Sequence, residues 1–186
     1  MSGCTAFGFL VAKGFLTRVR QLRELERLIG YMSGEVRYRR EILAQAFYNV
    51  SNKCKEPFAS WLGGLSDSLK QETQRMLFRK EACENISEDT FEDAYAATLD
   101  FDSIWREAAE GLYLLSAFKL EDMEYVYNLG QTIGYLDVQA QEQGLMLLQG
   151  DLNRHIQRLE SEMKERIRVA MILGTVVGIL LVIMFV

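Results

Sequence analysis

Proline and histidine are almost missing from this chain: each occurs once in 186 residues, as Pro57 and His155. So little proline leaves long stretches free to run as helix, since proline removes a backbone donor and clashes with the preceding turn. A lone histidine excludes any clustered histidine chemistry, whether metal ligation or a shared proton relay. The cysteines Cys4, Cys54 and Cys83 form no C-x-x-C pair, and an odd, scattered set reads as reduced thiols. There is no G-x-x-x-x-G-K-[ST] loop and no G-x-G-x-x-G turn, the two signatures in which glycines let backbone amides cradle phosphates. Strand-like alternation is also absent over any useful length. No catalytic residue, cofactor or metal is assigned, and His155, between Arg154 and Ile156, reads as a surface residue.

What is present favours helix: Leu, Glu, Ala, Gln and Arg are abundant, and all but a few of these are strong helix formers. From Thr17 to about Tyr48, Val19, Leu22, Leu25, Ile29, Met32 and Val36 recur at helical spacing and form one apolar stripe. The stretch "SNKCKEP", 51–57, reads as a linker, because the residue before proline resists helix. A short helix is expected after it, with Phe58, Trp61, Leu62 and Leu65 inward, and a separate one from about Gln71 to Cys83. Ser87 is placed to cap another, with Glu88 and Asp89 favourable at its start. A further helix begins at Asp102 or Ser103, and "LEDMEYVYNLGQTIG" forms one closing near Gly134. There the pair Gly130 and Gly134 serves close packing and then a turn.

The last helix is the long one. Asp137 caps it, and Leu145, Leu148, Leu152, Ile156, Leu159, Met163 and Ile167 make its stripe. The expected fold class is all-α, a multi-helix bundle of about five to seven helices. Its long C-terminal helix runs into a transmembrane anchor. Val169 to Val186 carries no charge and no proline, and as helix it spans about 27 Å, close to a bilayer's hydrocarbon core. Residues 1–16 read as a partial or truncated membrane segment, apolar from Cys4 to Leu16 except for Lys13. Residues 17–168 are then the body. Arg18, Arg20 and Arg23 follow the first apolar segment and Lys164, Arg166 and Arg168 precede the second, which places the body on the cytoplasmic side.

Charge is unevenly distributed along that body. From Lys13 to Arg40 eight basic residues face three acidic ones, whereas from Glu81 to Glu124 thirteen acidic residues face only Arg106 and Lys119. Acidic and apolar residues interrupt the basic stretch, so nucleic acid is not an expected partner. Glu88, Asp89, Glu92 and Asp93 lack the glycine turn of a calcium loop. They read as a solvated helix face that offers a docking surface, with Arg18, Arg20 and Arg23 as the basic counterpart near the membrane. Gly174 and Gly178 form a small-xxx-small pair in the anchor, a device for packing against another membrane helix.

Four segments together resemble a known family. "RVRQLRELERL" (18–28), "GEVRYRREILAQAF" (34–47), "LGQTIGYLDVQAQ" (129–141) and "LGTVVGILLVIM" (173–184) are similar, in this order, to the stage III sporulation protein AB family of endospore-forming bacteria. The third is similar to that family's LG-x-x-LG-x-x-D region, with Ile133 where leucine is common. The resemblance implies a non-enzymatic scaffold or adaptor of the channel apparatus between mother cell and forespore. It implies a helical domain like the platform domains of type II secretion and type IV pilus systems, anchored in the outer forespore membrane and facing the mother-cell cytoplasm. The implied partners are the apparatus ATPase, the other membrane subunits and membrane lipid, with homo-oligomerisation also open. An alternative from another class is a tail-anchored helical regulator acting through its amphipathic stem.

Overall fold

Leu22, Leu25, Leu28, Ile29 and Met32 are fully buried along one side of the first helix, so the stripe drawn from spacing is the stripe that packs. Each such side chain contributes about 1.5–3 kcal/mol relative to its exposed state. The computed structural model describes residues 2–38, 43–82, 101–134 and 138–185, with side chains at 13–35, 43–75, 78, 101–134, 139–165 and 168. Among these there are six helices and no strand. They are α1 (Ser2–Tyr38), α2 (Leu43–Ser51), α3 (Phe58–Ala82), α4 (Phe101–Leu115), α5 (Leu120–Ile133) and α6 (Val138–Phe185).

α1 lies along α6. Arg23 pairs with Glu160, and Gly30 abuts the side chain of Gln149, so the two helices run antiparallel. The 48 residues of α6 make a rod of about 72 Å. Leu145, Leu148, Leu152, Ile156 and Leu159 are buried on it, as their spacing predicts. α2 packs on α3, where Ser66 donates its hydroxyl to the Ala44 carbonyl at 2.7 Å.

An aromatic centre joins α2, α3 and α4. The Trp105 ring lies 5.9 Å from Phe47, 5.2 Å from Trp61 and 5.6 Å from Phe101. Both indole N–H groups are satisfied, Trp61 donating to the Ala108 carbonyl and Trp105 to that of Val126. Among the described residues no buried side-chain nitrogen or oxygen lacks a partner.

Two element boundaries differ from expectation. The helix expected from Thr17 to about Tyr48 is divided between α1 and α2, and α1 begins already at Ser2. The two helices expected between Pro57 and Cys83 are one, α3, of 25 residues. Gly63 and Gly64 lower helix propensity by about 1 kcal/mol each. The apolar series Phe58, Trp61, Leu62, Leu65 and Leu69 nevertheless stays in phase across them and is buried throughout, so packing holds the helix together.

The expected linker is the turn between α2 and α3, with a cis Glu56–Pro57 peptide. It is fastened to α1 from both sides of Cys54. Lys55 N–H donates to Glu24 at 3.0 Å, and Lys53 pairs with Glu35 at 2.8 Å. Among the described residues no helix is long and apolar enough to cross a membrane. The side chains of 1–12 and 169–186, where the membrane segments are expected, lie outside them, as do the Ser87-capped helix and the Asp137 cap.

Candidate functional site

The densest polar cluster sits where α1, α5 and α6 converge. Asp122 occupies the third position of α5, and its Oδ2 accepts the Lys119 backbone N–H at 2.8 Å. This is the reciprocal half of a capping box, and an acidic residue there also complements the helix dipole. The same carboxylate binds Arg18 of α1 in a fork. Nε donates to Oδ2 at 2.6 Å and Nη2 to Oδ1 at 2.8 Å. Arg18 also reaches Glu121 at 2.5 Å. From α6, His155 Nε2 lies 3.0 Å from Asp122 Oδ1, and the His155 ring lies 5.3 Å from that of Tyr125.

Burial alone would raise the Asp122 pKa. The hydrogen bonds from Arg18, the Lys119 amide and His155 outweigh it and hold the carboxyl below the usual range. Its bond to Asp122 in turn raises Arg18 against the effect of burial, with Glu121 adding to it. An ionised Asp122 can only accept, so His155 presents Nε2–H toward it. His155 is thus not the plain surface residue expected: its side chain is 13% exposed and oriented by a carboxylate from another helix.

Glu121, Asp122 and His155 gather donor atoms within 4.8 Å, a spacing that suits a metal ion. The arrangement does not fit one. Both Asp122 oxygens are already engaged, and the Arg18 guanidinium supplies the positive charge where an ion would sit. Among the described residues no serine, threonine or cysteine is bonded to the His155–Asp122 pair; its neighbours are a guanidinium, a carboxylate, a backbone amide and the Tyr125 ring. Chemically the cluster is a clamp joining three helices.

The basic residues read as partner-facing separate in the structure. Arg18 is 3% exposed and engaged inside the bundle, which removes it from any partner surface. Its guanidinium uses Nε and Nη2 for three short bonds within the bundle. Arg23 is half-buried, bonded to Glu160 of α6 and Glu26 of α1, and these bonds raise its pKa although burial opposes them. Arg20 is exposed. Glu88, Asp89, Glu92 and Asp93 lie outside the described residues, as do the surroundings of Gly174 and Gly178.

The segment "LGQTIGYLDVQAQ" acquires a physical meaning. A Cβ at Gly130 would fall 2.3 Å from Trp105 Nε1, so the indole rests directly on the α5 backbone. Gly134 caps α5, its N–H donating to the Gly130 carbonyl at 3.0 Å. Gln141 reaches back from α6 to the Ile133 carbonyl at 2.7 Å. A Cβ at Gly144 would meet the Thr132 methyl at 2.6 Å. The described part of the motif, with Gly144 beyond it, thus holds the end of α5 against the start of α6, and Asp122 and His155 meet between the same two helices.

No curated protein matches the chain at a significant level. The solved structure of a stage III sporulation protein AB shares the fold, with a TM-score of 0.61 and 16% identity, over 80% of this chain and 98% of that one. The family profile described as stage III sporulation protein AB matches residues 1–90 and 79–186, so that its two matches span the whole sequence. The chain belongs to the stage III sporulation protein AB family.

Proposed function

We propose that the chain is a non-enzymatic, membrane-anchored scaffold of the sporulation channel apparatus. Its bundle docks the apparatus ATPase and the other membrane subunits from the mother-cell cytoplasm. The observation that carries this reading is family membership across the whole chain. The interior is consistent with it: the cluster that most resembles a site is closed by its own arginine and amide.

Attachment to the membrane draws on the antiparallel register of α1 and α6. Because Arg23 meets Glu160 and Gly30 meets Gln149, the start of α1 and the end of α6 leave the body at the same end. Those are the two apolar stretches of the sequence, 4–16 and 169–186. The proposed hairpin has both legs in the outer forespore membrane, with Arg20 exposed just past the first leg to meet lipid headgroups or a partner. Gly174 and Gly178 give the second leg a close-packing face toward a neighbouring membrane subunit or a second copy. The tail-anchored alternative, with one leg only, has no use for this pairing.

The test is affinity isolation of the full chain from detergent-solubilised membranes of sporulating cells. The apparatus ATPase and membrane subunits should co-purify in stoichiometric amounts. Isolation of the chain with none of them overturns the docking reading.

A further inference from the structure

α4 and α5 present an apolar groove to water. Tyr113 and Leu114 near the end of α4, with Leu120, Met123 and Tyr127 on α5, line a cavity of about 340 Å³. Met123 is buried within it, but Leu114 is 82% and Leu120 76% exposed. Both leucines stand open beside the cavity, and apolar patches with polar edges mark interaction sites. The polar edge here is acidic. Glu110 and Glu124 complete the lining, both exposed, and neither has an ion-pair partner among the described residues. On α4, α5 and the turn between them there are two basic residues, Arg106, which is paired with Asp102, and Lys119.

Three kinds of occupant compete, and charge separates them. An anionic membrane surface would be repelled by Glu110 and Glu124. The chain's own segment 84–100 has six acidic residues and no basic one, so it is repelled as well. An amphipathic helix with apolar anchors flanked by Lys or Arg satisfies both features at once. Its anchors fill the cavity, and its cations meet the free carboxylates. We infer that the α4–α5 groove is the docking site for a basic amphipathic helix of a partner protein. This assignment rests on the docking role proposed above and names the face that performs it.

The test places a photoreactive benzoylphenylalanine at Leu114 of the full chain in sporulating cells, with Asn52, exposed on the α2–α3 turn, as the control position. Illumination at Leu114 should give an adduct that maps by mass spectrometry to a helix-forming segment of net positive charge in a partner protein. Asn52 should not give that adduct. Glu110→Lys with Glu124→Lys should lower the adduct yield about tenfold, and Leu120→Ser should lower it comparably; these are surface changes that leave the core untouched. Mapping to 84–100, to a second copy, to lipid or to an acidic segment overturns the assignment. So does an adduct indifferent to the substitutions. The unilluminated half of each sample is affinity-isolated in parallel. If apparatus subunits co-purify while Leu114 yields no adduct, the groove assignment falls alone; if nothing co-purifies, the docking role falls with it.

Discussion

Asp122 does three things with one carboxylate: it caps α5, binds Arg18 and orients His155. Removing one partner of a buried ion pair strands the other charge, at a cost of about 3–5 kcal/mol. Arg18→Met is therefore expected to lower the thermal midpoint of the full chain in detergent, followed by circular dichroism, far more than Arg20→Met at the exposed neighbour. The pH dependence follows from the same bonds. Asp122 is depressed in the folded state, against an unfolded aspartate near ~3.9. Its contribution is present above that unfolded value and is lost as pH falls through the lower folded one. An acid melting series should show this limb, and Asp122→Asn should flatten it while lowering stability at neutral pH.

Cys54 behaves oppositely. Burial first, then the nearby Glu24, pushes its thiol from an ordinary value of 9.0 to about 11. A raised pKa stabilises the fold below 9 and the contribution fades as pH rises toward 11. At pH 8 the thiolate fraction is correspondingly small, so iodoacetamide should alkylate Cys54 at least about tenfold more slowly than it alkylates free glutathione. Little of this was legible in the sequence. Arg18 and Asp122 are 104 residues apart, and no spacing rule pairs residues at that distance. Charge patterning marked Arg18 as partner-facing near the membrane, whereas its side chain is buried against Asp122 and Glu121 of α5.

Elements were more legible than their partners. The stripes of α1 and α6 are periodic enough to be read directly, and the buried residues match them. Gly130 and Gly134 were correctly placed as close packing followed by a turn. What could not be read is which indole rests on Gly130, because Trp105 comes from another helix. The break expected inside α3 failed for a related reason. The break was expected between Leu65 and Gln71 from local pattern alone, whereas the burial that overrides it comes from α2 and α4. A substitution at the α4–α5 contact makes the point testable. Gly130→Ala pushes a methyl into a buried, hydrogen-bonded indole and should cost about 1–3 kcal/mol or more. Gly63→Ala, with open space at its Cβ position, should be neutral or stabilising by up to about 1 kcal/mol. Chemical-denaturation midpoints of the two variants decide it.

At the scale of the molecule, the bundle is organised around one antiparallel pair. α1 and α6 form its long axis, α5 is clamped to both through Asp122, and α2 to α4 pack around the aromatic centre. Because the outer ends of the pair emerge together, the proposed attachment uses the apolar ends of the sequence as two legs under one body. Two-legged attachment is the central claim about how the proposed scaffold sits. The direct measurement is extraction of membranes from sporulating cells with alkaline carbonate and then detergent, combined with protease added from the mother-cell side. The full chain should stay in the carbonate pellet, enter solution only with detergent, and lose residues 17–168 to the protease. Release of the intact chain by carbonate alone, or a body protected from the protease, would contradict the hairpin.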